Sequence, residues 1–307
     1  MRESPFAYYR FINREFTRQT CARLGARDPL LVNLHGDAHL EQYAVAADGE
    51  GLADFDAAAL GPPEVDFERF ATSIVLAAPS PGVAREALDA FVDGYRAGLA
   101  DPERGPPATG VAARLRAQFA PTPTAWLDGV ERMMHPVSKE KRQHMERARA
   151  RYISAMLSQN PDLSASFFKL KKGGMLQVGL GSAREAKFLA RVEGPTAVPE
   201  DDVILETKQV AAPVAGTCVS AGLGHAQRVA LGQARLSTTP QRFLGYVELE
   251  DHLYYVHVWR VHYREIHAGD LGAPAEWNEI ARVSRWQLGR GHPRHVERAS
   301  ELRARLG

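Results

Sequence analysis

The sequence predicts an α+β fold of two lobes, with a helical half first and an antiparallel-sheet half second. Three observations lead there. Up to about residue 158, apolar residues recur mainly at helical spacing around one short hairpin. Between 166 and 259, short strand-like runs alternate with glycine pairs and turn residues. A chain of 307 residues, 45% hydrophobic and 24% charged, is long enough for two lobes sharing a large buried core.

The first strand is the apolar run 30–34 (LLVNL), which ends at His35-Gly36-Asp37. A second run at 43–47 meets the turn signal Asp48-Gly49, and Leu52-Ala53 then leads into Asp54-Phe55-Asp56. A hairpin at that turn sets the loop of Asp37 beside the loop of Asp54. Pro62-Pro63 opens a helix, with Glu64, Asp66 and Glu68 near its positive end and Val65, Phe67, Phe70 and Ile74 on its apolar side. Ala84, Leu88, Phe91, Val92, Tyr95 and Leu99 form the stripe of a second helix, and residues 101–110 form a loop. Residues 111–158 read as helical. Their basic run at 139–151 is a solvated face, because no aromatic side chain interleaves the charges as a single-strand binder requires. Strands follow at 166–171, 175–179, 185–193 and 203–210, then a helix at about 223–236 and strands at 243–249 and 253–259. A final helical region, 275–306, is interrupted near Gly289 to Pro293. The expected divisions are a helical part at 1–160, a sheet part at 161–265, and a helical region at 266–307 that packs back on the first part.

Composition narrows the class. Thirty-eight basic side chains face thirty-seven acidic ones, so no global field favours nucleic acid or an anionic membrane as partner. No apolar run approaches the roughly 20 residues that span a bilayer, and MRESPFAYYR lacks the apolar core of a signal peptide. Cys21 and Cys218 lie far apart without metal-ligand spacing and read as two thiols in a reducing compartment. The expectation is a cytoplasmic protein.

The text richest in chemistry is HGDAHLEQY at 35–43 followed by ADFD at 53–56. Two carboxylates in adjacent loops suit phosphoryl transfer: one orients the attacking hydroxyl and accepts its proton, and the other holds the magnesium that bridges the phosphates. The kinase catalytic loop runs His-x-Asp, four residues, then a metal-binding Asn. His35 and Asp37 fit that register as catalytic residues, with Gln42 at the Asn position. Asp54-Phe55-Asp56 stands where kinases carry Asp-Phe-Gly, which makes Asp54 the principal metal ligand and Asp56 a further one. In the second half, Gly179-Leu180-Gly181-Ser182 lies between two expected strands, where backbone amides can wrap phosphate oxygens; Arg184 takes the place of the third glycine of the kinase pattern. Lys208 lies inside the strand 203–210, with Ile204 and Glu206 on its face, and an interior lysine calls for an anion. Glu206 is a possible partner, but the helix at 223–236 offers no glutamate. Trp259 to Tyr263 are hinge candidates beside an adenine, with His257 flanking them.

SPFAYYR at 4–10, HGDAHLEQY, ADFD, GPPEVDFERFATS at 61–73, VGLGSAR at 178–184 and the strand ending in Lys208 resemble a bacterial family of uncharacterised proteins, domain-of-unknown-function family 2252. RVALGQARL at 228–236 and FLGYVEL at 243–249 are similar to its later segments, and Phe11 stands where the family usually has glycine. The aspartate blocks also look like those of aminoglycoside phosphotransferases and related small-molecule kinases. That resemblance implies ATP and Mg2+ as cofactors, a small-molecule hydroxyl acceptor, and Asp66 as the helix residue that props up the catalytic loop. Kinases carry the strand-rich lobe first, and here it comes second. The motif order therefore predicts a circularly permuted, protein kinase-like fold, with the helix 275–306 standing where kinases have the helix before the catalytic loop.

Two other readings use the same residues. Gln42 and the missing helix glutamate are compatible with a nucleotide-binding pseudokinase of regulatory role. His35, Asp37, His39, Asp54 and Asp56 are hard or borderline ligands that could serve a metal-dependent hydrolase, although that reading gives no role to the glycine loop or Lys208.

Overall fold

The structure, a computed structural model, describes residues 4–25, 30–105, 107–120, 122–164, 166–176, 187–210, 218–220, 225–249 and 252–306. It opens with α1 (Pro5–Phe11), capped by Ser4, whose Oγ accepts from the Ala7 amide at 3.0 Å, and α2 (Asn13–Leu24). β1 (Val32–Leu34) leads into the Asp37 loop. β2 (Tyr43–Ala46) and β3 (Gly49–Leu52) form the expected hairpin, and β4 (Ala59–Gly61) returns to pair with β1. α3 (Glu64–Ala77) and α4 (Pro81–Ala100) follow.

The expected helical stretch 111–158 is broken into α5 (Gly110–Arg116), α6 (Pro123–Arg132), the short strand β5 (Met134–His135) and α7 (Lys139–Gln159). Proline accounts for the breaks: Pro123 begins α6, and Pro136 has no amide with which to continue a helix. The basic run lies on α7, whose buried residues are Ala148, Tyr152 and Met156.

The sheet part comprises β6 (Leu170–Leu176), β7 (Lys187–Val192), β8 (Val203–Gln209), α8 (His225–Leu236), β9 (Gly245–Leu249) and β10 (His252–Trp259). Gly173 and Gly174 lie inside β6 instead of dividing two strands. A Cβ at Gly174 would stand 2.7 Å from the His135 carbonyl, so the absent side chain admits β5 as a neighbour. The chain finishes with β11 (Arg264–Glu265), α9 (Pro274–Gly291) and α10 (Ala299–Leu306), broken at Pro293 as expected.

Six strands make one antiparallel sheet in the order β5-β6-β7-β8-β10-β9, while β11 extends the β2-β3 hairpin. One face of the six-stranded sheet is apolar: Val192, Leu205, Val256 and Val258 pack with Tyr152 and Met156 of α7 and with Phe167 and Phe168. Strand alternation turns Lys187, Lys208, Glu206, Tyr255 and His257 to the other face. The helical core is built on α4 and α9. Backbones approach so closely there that a Cβ at Gly94 would meet the Arg282 carbonyl at 2.1 Å, and one at Gly98 the Trp286 carbonyl at 2.2 Å. That contact carries the end of α9 under the Asp37 loop.

Cys21 and Cys218 form a disulfide across a sequence separation of 197, which corrects the reading of two unpaired thiols. The bridge Leu60↔Ser220 lays residues 218–220 along β4, and the disulfide ties Cys218 to α2, a neighbourhood invisible in sequence. Disulfides persist in oxidising compartments, so the thiols no longer argue for a reducing one. Among the described residues, no helix is long and apolar enough to cross a membrane.

Candidate active site between two aspartate loops and the sheet

The Asp37 loop is built from backbone outward. Gly36 has φ +78°, and a Cβ there would lie 2.0 Å from the Ala57 carbonyl oxygen, so only glycine fits. The amides of His35 and Gly36 donate to the two carboxylate oxygens of buried Asp66, at 2.7 and 2.8 Å. His292, at the end of α9, brings Nε2 to Asp66 at 3.2 Å and Nδ1 to the Tyr95 hydroxyl at 3.1 Å. Burial opposes the charge of Asp66, but its hydrogen bond with His292 and the neighbouring donors outweigh burial and hold its pKa below the ordinary value.

Asp37 itself accepts from Arg69 Nε at 2.8 Å. Arg69, 1% exposed, also donates to the Tyr9 and Arg10 carbonyls at 3.0 and 3.1 Å and lies 4.1 Å above the Tyr9 ring. Burial raises the Asp37 pKa, against the pull of Arg69. Both ring nitrogens of His35 are engaged: Nε2 with the Ala53 carbonyl at 2.8 Å, and Nδ1 with the Asp37 amide at 3.3 Å. With both nitrogens on backbone, His35 fixes the geometry of the loop. The ring ties the Asp37 loop to the backbone just before Asp54 and packs on Phe55 at 4.9 Å.

Asp54 sits in left-handed backbone at φ 57°. Lys208, 3% exposed on β8, donates from Nζ to Asp54 Oδ1 at 2.7 Å and also pairs with Asp56. The Tyr255 hydroxyl donates to Asp56 Oδ1 at 2.7 Å, and Arg228 of α8 donates to the Asp56 and Ala58 carbonyls. Burial raises the Asp54 pKa, but the charges of Lys208 and Lys187 outweigh it and keep the carboxylate ionised. Gln42 is buried in the short turn Leu40–Gln42, where its carbonyl accepts from the Ala53 amide at 2.8 Å. Asp37, Asp54, Asp56, Asp66 and Lys208 are thus linked through two contiguous loops and the polar face of the sheet. Gly179, Gly181 and Ser182 lie outside the described residues.

Two expectations change. Glu206 is not the partner of Lys208: it accepts from His257 Nε2 at 2.9 Å and Trp259 Nε1 at 3.1 Å, which also gives those hinge candidates a place in the sheet. The five-residue metal cluster is not assembled: His39 is buried against Phe6 and His35 is committed to backbone, so neither imidazole joins the carboxylates. Among the described residues, no group of three His, Cys, Asp or Glu side chains could hold a metal ion. Arg69 and His292 were missed. Arg69 had a readable signal, three residues after Asp66 on the same helix face; His292 had none, since only the α4–α9 contact brings it in.

The site therefore belongs to a class defined by two aspartate loops on a helical part and a lysine delivered from an antiparallel sheet. The family of uncharacterised proteins conserved in bacteria, DUF2252, matches residues 1–125 and 112–307, and the chain belongs to it. No curated protein and no solved structure matches the chain.

Proposed function

We propose that the protein is an ATP-dependent phosphotransferase of kinase-like, circularly permuted architecture, acting on a hydroxyl of a small molecule. One observation carries this reading: Lys208, from the sheet, reaches the Asp54 loop, which His35 and Gln42 bond to the loop of Asp37. Kinases carry the phosphate-binding lysine on the third strand of the sheet lobe, and Lys208 lies on the third of the consecutive strands β6, β7 and β8, before a helix and two more strands. The permutation has its own support. The side-chain amide of Asn33, in β1, donates to the carbonyls of Gly291, His292 and Arg294 at 3.0, 3.1 and 2.7 Å. The end of α9 is thereby stitched to the strand that opens the catalytic loop.

In this reading Asp37, oriented by Arg69, accepts the proton of the acceptor hydroxyl. Asp54 and Asp56 would hold magnesium, with Gln42 at the second metal position. Magnesium suits such a site because it is bound through one or two carboxylates and the substrate phosphates, without a protein cage; it supplies neutralisation of phosphate charge. Lys208 would pair with the phosphates. The pseudokinase reading draws support from Lys208 being paired with both aspartates, and from α8 offering Arg228 to the loop backbone and no glutamate to the lysine.

The test is a thermal-shift titration with ATP, with and without magnesium, on the wild type, Asp54→Ala and Lys208→Ala. Saturation at 100 times the dissociation constant stabilises by about 2.7 kcal/mol. A magnesium-dependent rise that both substitutions abolish is expected, and no rise in the wild type would sink the reading. ATP consumption with an acceptor then separates enzyme from pseudokinase.

A further inference from the structure

We propose that the cavity beside Trp126 and Trp259 is an effector site for a flat aromatic ring bearing an acid group, connected to the loop of Asp54 and Asp56 through Glu206, His257 and Tyr255. The inference goes beyond the phosphotransferase reading and does not depend on it.

The cavity holds about 490 Å³ and has mostly apolar walls: Trp126 of α6, Val203 and Ile204 at the start of β8, Val258 and Trp259 at the end of β10, and Pro240. Small-molecule sites are usually concavities of roughly 300–1,000 Å³ with apolar and aromatic walls and a few polar groups. Two indoles in one wall favour a flat partner, because aromatic rings gain from offset or edge-on contact with another ring. The polar groups set the charge. Both acids in the wall are already matched, Asp48 by Arg260 at 2.9 Å and Asp202 by Lys171 and Arg191. Arg242 lines the same cavity, is exposed, and pairs with no carboxylate among the described residues. The walls therefore carry one cation in excess, which complements an acid group on the ring.

A line of side chains on one face of β10 leads from this cavity to the aspartate loop. Trp259 donates from Nε1 to Glu206 at 3.1 Å, and Glu206 also accepts from His257 Nε2 at 2.9 Å. The His257 ring stacks on Tyr255 with centroids 5.2 Å apart, and the Tyr255 hydroxyl donates to Asp56 Oδ1 at 2.7 Å. Four residues of strand separate Trp259 from Tyr255, a span of about 13 Å. A ring packed on Trp259 fixes its indole, and with it the buried carboxylate, the imidazole and the phenol that holds Asp56. Asp54, Asp56 and Lys208 are absent from the cavity walls, so effector and aspartate cleft are separate places.

The experiment uses 2-naphthoate as the aromatic acid and octanoate as an acid without a ring. Calorimetry gives their dissociation constants on wild type, Trp126→Leu, Arg242→Gln and Tyr255→Phe, and hydrogen exchange follows the amides of residues 53–58 with and without 2-naphthoate. Trp126 is half-buried and Arg242 exposed, so both variants should melt near wild type; Trp126→Leu keeps an apolar contact while removing the flat ring. Wild type is expected to bind 2-naphthoate about tenfold more tightly than octanoate, with a loss of about fivefold or more in Trp126→Leu and in Arg242→Gln. The ligand should slow exchange at 53–58 about threefold in wild type. Tyr255→Phe should keep the affinity within twofold and lose the slowing. No binding by wild type, equal binding by Trp126→Leu, or binding that leaves exchange at 53–58 unchanged would overturn the proposal. Displacement of 2-naphthoate by Mg-ATP would make the cavity part of a nucleotide site and overturn it as a separate one.

Discussion

Asp37 and Asp54 occupy neighbouring loops, yet their cations differ in kind and origin. Arg69 comes from the same helical part as Asp37, is 1% exposed, and spreads its planar fork over one carboxylate and two carbonyls. It cannot leave without giving up all three of these contacts at once. Lys208 comes from the sheet, meets Asp54 and Asp56 as a point charge on a flexible stem, and faces carboxylates that keep 32% and 20% of their side-chain surface open. The comparison separates a built-in contact from an exchangeable one. In the proposed phosphotransferase, fixed geometry would serve a proton acceptor at Asp37, and a partner that solvent can replace would let Lys208 turn to an incoming ligand.

The largest expected effect is on the built-in side. Asp66→Ala strands two backbone amides and His292 in the core, and should cost about 3–5 kcal/mol in urea unfolding. A loss under about 1 kcal/mol would mean that the Asp37 loop is held by something else. Arg69→Lys keeps a charge but loses the fork; leaving buried carbonyls unpaired should cost about 2 kcal/mol, with any turnover falling further than nucleotide affinity.

Acidity should divide the two sides as well. Burial holds the pKa values of His39 and His292 below the ordinary histidine value, so the unfolded chain binds protons that the fold refuses. Stability is then full above roughly pH 6.5 and falls below it, by up to about 1.4 kcal/mol per pH unit for each histidine. Ionised Asp54 resists the same change, because burial is outweighed by its lysines. Unfolding midpoints at pH 7 and pH 5 should therefore differ; equal midpoints would refute the neutral histidines. Smallest is the stability effect of Lys208→Met, no more than about 1 kcal/mol, because open carboxylates are readily hydrated. A much larger loss would make the pair structural and close the distinction between the loops.

The elements that sequence made legible are those with local grammar. The hairpin at Asp48-Gly49, β7, β8 and the helix begun by the proline pair announce themselves through alternation, turn chemistry and charge at a helix start. What stayed hidden depends on distant surfaces meeting. His292 reaches Asp66 only because glycines let α4 and α9 close together, and Arg69 faces Asp37 only because α1 leaves its carbonyls there. The continuity of β6 through two glycines was illegible for the same reason: its cause, β5, is a separate segment.

The bond between Cys21 and Cys218 makes the chain from one to the other a covalent ring. Asp37, Asp54, Asp66 and Lys208 all lie on that ring, so one cut in any loop between the cysteines severs no functional group from the rest. A protease nick in the loop after α4 should leave a single band on a non-reducing gel and two bands once thiol is added. Two bands without thiol would mean that the ring is open.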